Sequence, residues 1–263
     1  MDFTNRFSVV ERLVVAVGLA ILFFTFASAS AKDYDLSRIK RIGVISVVGD
    51  RLYQRRLGVT VFGNESENQD VADWGLDAVW EAKIKEEAAA FGDFEFIDLT
   101  VDKTPLLAAY PKDNAWPRQW RVLSVKKSAP YLLKIAAENN IDAIIVLGSF
   151  GYDVVEDRVA MEGLGMFHMK SLGGVSTVYH LISQLSLIDG ATGKPLEQKT
   201  LSVGSHWVKG YGGYPVAEAP VEFNGRNFSE YSEDEKLVLR NTLAALPDDA
   251  WRRSFGKLFH VEE

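Results

Sequence analysis

The chain has 263 residues, a formal net charge of −7, 47% hydrophobic and 25% charged residues, and no cysteine. That balance is ordinary for a folded globular protein and excludes a disordered chain. The missing thiols exclude disulfides, thiolate metal sites, cysteine nucleophiles and a lipid carried on a mature amino-terminal cysteine, and the acidic balance excludes a nucleic-acid footprint.

Arg6 and Arg12 bracket a short amino-terminal region, 13–26 is an unbroken run of apolar or small residues, and Ala27-Ser28-Ala29-Ser30-Ala31 follows. This is the order of a secretory signal peptide, with cleavage after Ala29 or after Ala31. The run holds fourteen residues, short of the roughly 20 that a membrane-spanning helix needs. Residues 1–31 are therefore expected to direct export, leaving 32–263 as a single periplasmic α/β domain. The alternative is an inner-membrane anchor formed by 13–26.

Residues 38–48, rich in Ile and Val, predict a buried first strand, and 52–62 a partner strand joined to it by a tight turn at Gly49-Asp50. Residues 65–73 are acidic and polar and predict a loop. From Asp73 the period becomes helical: Leu76, Val79, Trp80, Ile84, Ala88 and Phe91 share a face, with Asp73 as cap and Gly92 as stop. A short strand at 94–99 precedes a loop insertion at about 102–127, marked by Pro105, Pro111 and Pro117.

Ser128 opens a second helix, with Pro130 in its first turn and Leu132, Leu133, Ile135 and Ala136 on its apolar side. The continuous apolar run of 142–150 predicts a strand covered on both faces. Residues 175–188 and 195–207 predict a late β-hairpin around Asp189-Gly190-Ala191-Thr192-Gly193-Lys194. A second insertion spans about 208–231. Ser232 and Glu235 form a capping box ahead of Leu237, Val238, Leu243 and Leu246, and Trp251, Phe255 and Phe259 mark a closing helix after Pro247. The fold class is thus α/β (α+β), a single mixed sheet flanked by helices, with a late hairpin and carboxy-terminal helices.

The Ile42-Gly43-Val44-Ile45 strand and the Asp189 to Lys194 turn, placed in this element order, resemble the α/β envelope domain of the TolB amino-terminal part, of the CsgG secretion protein and of the LpoB-type activators of cell-wall synthases. The resemblance spans roughly 39–205 and is topological. It implies an envelope domain that binds partners and carries no catalytic residues. The chain departs from these groups in lacking the lipid-bearing cysteine of CsgG and LpoB and the propeller repeats that follow in TolB.

Several constellations fail as catalytic motifs. Arg51 stands where a Gly-Asp-Ser hydrolase would have its nucleophile, Ser46 and Val48 where a metallophosphatase would have its ligands, and Leu147 where a nucleophile elbow at Ser149 needs glycine. His168, His180, His206 and His260 lack the local pairing of zinc sites. No metal, cofactor or catalytic residue is assigned.

The segment around Gly163, Gly165 and Gly173-Gly174 predicts a pliable loop presenting Met161, Leu164, Met166, Phe167, Met169 and Leu172 to an apolar partner or a membrane surface. A loop folded over the sheet's own core is the alternative. Trp116, Trp120, Tyr211 and Tyr214 either seal the core beneath long loops or stack on sugar rings of the cell wall. The expected function is a non-enzymatic envelope protein binding another periplasmic or membrane component, the partner being an envelope protein or cell-wall component. The rival is an exported hydrolase acting on cell-wall or lipid material, its pocket gathering Asp50, Glu81, Glu162, His180 and His206. A third reading is a self-assembling structural subunit.

Overall fold

Runs of branched apolar residues make Arg41–Ser46 (β1) and Ala143–Ser149 (β5) strands buried on both faces, and they pair in parallel from Ile42↔Ala143 to Ser46↔Leu147. A computed structural model describes residues 34–58, 64–110, 124–154, 159–171, 174–203 and 213–260. The leader read at 1–31 lies outside them, as do Trp116, Trp120, Leu172, His206 and Tyr211. No helix among the described residues is long and apolar enough to cross a membrane.

The remaining strands are Arg51–Leu57 (β2), Glu65–Asp70 (β3), Glu95–Ile97 (β4), Gly151–Val154 (β6), Val159–Ser171 (β7), Gly174–Asp189 (β8), Pro195–Thr200 (β9) and Val216–Glu218 (β10). Together they form a ten-stranded mixed sheet ordered β3-β2-β7-β8-β5-β1-β4, with β6 on β7 and with β9 and β10 on β8. The α/β fold class read from the sequence is the one observed.

Strand β8 spans both halves of this sheet. Its residues 183–189 pair with β5, and 174–182 pair with β7. Each neighbouring row is broken at about the same level: β1 leads through Val47–Asp50 into β2, and β5 leads through Phe150 and the β6 hairpin into β7, which β2 then follows in parallel. The expected β1–β2 hairpin is thus corrected. Val47 N–H still donates to Leu147 O, and the next two amides are held by a side chain, so the chain runs on instead of reversing.

Helices cover the lower half. Leu76–Ala88 (α1) lies against β1, Thr104–Leu107 (α2) packs on Val125–Asn139 (α3), and Glu233–Ala245 (α4) and Asp248–Leu258 (α5) lie against β8. On one face Ile45, Ile144, Val146 and Ile188 meet Leu106, Leu132, Ile135 and Ala136. Leu76, Trp80, Ile84 and Ala88 of α1 are buried, as are Leu239, Leu243, Trp251 and Phe255 of the last two helices. Phe91, Phe94, Phe255 and Phe259 extend that core through ring contacts of 5.6 to 6.3 Å.

Local readings shift where tertiary contacts choose the face. The cap of α1 is Gly75, left-handed at φ 63°, and not Asp73. Val79, expected on the apolar face of α1, is 43% exposed, and Leu237 and Val238 of α4 are 50% and 51% exposed. Helix α3 begins at Val125, so Pro130 lies inside it. The polar 65–73 stretch contains β3, held in register by β2. Of the insertion read at about 208–231, the described residues 213–231 supply β10 and short turns that bridge to the capped α4. The Asp189 turn is as expected: its carboxylate accepts from Ala191 N, Thr192 N and Thr192 Oγ1, and Gly193 takes φ 66°.

The largest correction is the segment 161–174. Residues Val159–Ser171 are a strand between β2 and β8. Met161, Leu164, Met166 and Phe167 are at most 1% exposed and Met169 packs beside them, so they fill the sheet's own core and present no tips to a partner. Gly163 and Gly165 serve close strand approach. A Cβ on Gly165 would collide with Tyr53 O and lie 2.5 Å from the His180 ring. Gly165→Ala should therefore cost about 3 kcal/mol, the upper end for overpacking, read as a shifted urea midpoint at unchanged slope; a change below about 0.5 kcal/mol would contradict this packing.

Candidate functional site

Polar side chains concentrate at the carboxyl ends of β1 and β5, where α/β sheets commonly place their sites. Ser46 ends the apolar β1, and its hydroxyl donates to Asp77 Oδ1 at 2.5 Å. The same oxygen accepts from Val48 N at 3.1 Å and Gly49 N at 2.7 Å. Asp77 sits in the first turn of α1, where the helix dipole favours a carboxylate. Glu81, one turn later, accepts from Ser46 N at 2.8 Å.

Lys103, just before α2, donates to Asp77 Oδ2 at 2.5 Å and stands 3.8 Å from Asp50 Oδ2. Burial opposes its charge, but the bond and charge of Asp77 more than offset this and raise its pKa. Burial raises the pKa of Asp50, and the neighbouring Asp77 charge adds to it. Burial likewise raises Glu81 above the usual carboxylate range, against the hydrogen bond from Ser46. Across the break, Ser149 N–H donates to the Tyr110 hydroxyl at 2.6 Å, and burial raises the Tyr110 pKa.

A second group lies in the upper half. Arg55 of β2 pairs with Glu162 of β7 at 2.9 Å, both side chains being largely buried. The guanidinium also donates to Gln54 O, Glu67 O and Asn68 Oδ1, and stacks over the Tyr53 ring at 5.4 Å. His180 of β8 is fully buried, with Nδ1 3.2 Å from Gly163 O and Nε2 without a hydrogen-bond partner among the described residues. Burial lowers its pKa to about 3. On the opposite sheet face His168 Nδ1 lies 2.8 Å from Thr177 Oγ1, and burial lowers its pKa to about 4.

No family model and no curated protein matched this chain.

The five residues expected to gather in one hydrolytic pocket are divided between the two groups. Asp50 and Glu81 surround Asp77 and Lys103, while Glu162 and His180 belong to the Arg55 group; His206 lies outside the described residues. The charged groups at each centre hold the fold together. Asp77 keeps the β1 exit extended, and Arg55 ties β2, β3 and β7 to one another. Among the described residues no three His, Asp or Glu side chains are arranged to hold a metal ion.

Sequence reasoning missed Asp77, Lys103 and Tyr110, and read Arg55, with Arg51 and Arg56, as a solvated strand face, whereas its side chain is 13% exposed. One signal was available: Ser46 is a polar residue in an otherwise apolar strand, and a buried hydroxyl needs a partner. Nothing in the sequence pointed to which residue supplies it. Tyr214, expected in a loop, is half-buried against Phe150, with ring centroids 6.3 Å apart.

Proposed function

We propose that this is an exported, non-enzymatic envelope protein whose α/β domain binds another envelope component. The observation that carries the reading is the internal use of its reactive groups. Asp77 and Glu162, the most buried carboxylates among the described residues, accept hydrogen bonds or pair with cations supplied by the fold itself. The export signal and the topological likeness to the TolB amino-terminal, CsgG and LpoB-type domains belong to the same proposal, and both predict a periplasmic protein. The binding surface is separate from the 161–169 strand, which is buried.

Cross-linking in intact cells, followed by recovery of the tagged protein and mass spectrometry, tests this. The expected result is a mature amino terminus at Ser30 or Lys32 and a cross-linked envelope component. A chain that retains Met1 and fractionates with the cytosol overturns it. The hydrolase reading has one observation in its favour, the partly exposed Asp50 held above the normal carboxylate range beside Asp77. If it were right, Asp50→Asn would abolish turnover of peptidoglycan or phospholipid by the purified protein; with the binding reading, neither form turns over either material.

A further inference from the structure

The edge strand β3 carries the sequence Glu-Ser-Glu-Asn-Gln-Asp, and five of its six residues are exposed. Those residue types are poor strand formers. One edge pairs antiparallel with β2 from Arg51↔Asp70 to Arg56↔Glu65. No described strand pairs with the other, so it offers unpaired main-chain donors and acceptors. Glu65 and Glu67 fall on the same face by the two-residue strand period.

Beside them lies a shallow open recess, with room for about one water molecule, lined by Gln54, Arg56, Glu65, Ser66, Glu67 and Asn227. The charge of Arg56 is met internally, by Glu65 at 3.3 Å and by Gly225 O and Asn227 Oδ1 at 2.8 Å each. Gln54 is also held, donating to Asn227 Oδ1 and accepting from Phe228 N. Neither Glu67 nor Asp70 forms a close ion pair among the described residues, although Arg51 stands opposite Asp70 in the β2 register.

We propose that β3 is a docking edge for an extended basic segment of a partner protein, which adds as a further strand with Lys or Arg at alternate positions facing Glu65 and Glu67. This rests on the reading of the domain as a binding module and names its surface. Strand addition supplies main-chain bonds, while alternate side chains supply specificity. Charge selects the occupant: a second copy would bring its own Glu65, Glu67 and Asp70 against this edge and be repelled. A Lys-bearing strand meets Glu67, which forms no ion pair among the described residues, beside the exposed Glu65.

The test uses the full-length protein and a dye-labelled peptide, acetyl-Thr-Lys-Val-Lys-Val-Lys-Thr-amide, with its Lys-to-Glu counterpart as control. Fluorescence anisotropy should show saturable binding of the Lys peptide alone. Hydrogen exchange should show protection confined to 64–70. Glu67→Lys should weaken binding about tenfold, whereas Asp93→Lys, the same charge change on another exposed site, should leave it unchanged. Equal weakening by both variants, protection elsewhere, or absent binding overturns the docking edge. Recovery of an envelope partner in cells with Glu67→Lys as efficiently as with wild type sinks this inference alone and leaves the binding function standing.

Discussion

Acidification from pH 7 to pH 4 should destabilise this protein by several kcal/mol, with His168 and His180 as the main source. Both side chains are fully buried on adjacent central strands. Burial depresses their folded pKa values to about 4 and about 3. A folded pKa below the unfolded value means that the unfolded chain takes up the proton first. Stability is therefore complete above about pH 6.5, the ordinary histidine value, and falls as pH drops towards 4. The linkage gives on the order of 3 kcal/mol for each histidine at pH 4.

The groups facing these rings set the direction. Arg56 opposes protonation of His168 and Glu230 favours it; Arg55 opposes protonation of His180, against the hydrogen bond to Gly163. Glu235, held down to about 2 chiefly by Arg226, also loses its contribution as pH falls below the ordinary carboxylate range. Asp50 and Glu81 act oppositely, because their raised values favour the folded state as pH falls. Urea titrations at pH 7, 5.5 and 4 measure the sum. In His168→Gln with His180→Gln, compared with the same double variant at pH 7, the acid slope should flatten to that of the carboxylates. An unflattened slope would assign the sensitivity elsewhere.

Replacing Asp77 by alanine should cost about 3 kcal/mol, within the range for a buried charged group whose partners are left behind. The carboxylate is 4% exposed and accepts from Ser46 Oγ, Val48 N and Gly49 N besides Lys103. Alanine leaves three buried donors unpaired at the point where β1 continues towards β2. The Lys103 contribution is smaller, because its side chain is 26% exposed and regains water.

Asp77→Asn separates these effects. It keeps an acceptor oxygen for the hydroxyl and two amides and loses only the charge that meets Lys103, so it should cost about 1 kcal/mol. Equilibrium urea unfolding of the two variants checks the order, and hydrogen exchange at Val48 and Gly49 locates the damage. Equal losses for Ala and Asn would show that the ion pair, and not the amide clasp, holds the break.

Legibility followed the range of the interaction. The Asp189 turn, the Ser232–Glu235 capping box and the buried faces of α1 and α3 depend on residues a few positions apart, so their spacing alone reveals them. Residues 161–168 carry no alternation of apolar and polar side chains because the strand is buried on both faces there. Its glycines, read as loop flexibility, permit Tyr53 and His180 to approach the backbone from β2 and β8. The candidate site was half legible: Asp50, Glu81, Glu162 and His180 were named, but not their division into two groups.

The amino-acid sequence by itself determined the helices and strands with a clear local period, the absence of thiol chemistry and the mixed α/β class, since composition and local period suffice for these. Only the tertiary structure decided that β1 and β2 lie end to end, that the Met-rich segment is core, and that Asp77 rather than a turn governs the chain at Gly49. Those outcomes depend on partners dozens of positions away, such as Ser46 with Asp77 or Arg55 with Glu162. Closing such long loops carries an entropy cost that only the whole packed sheet offsets, so no local pattern encodes them.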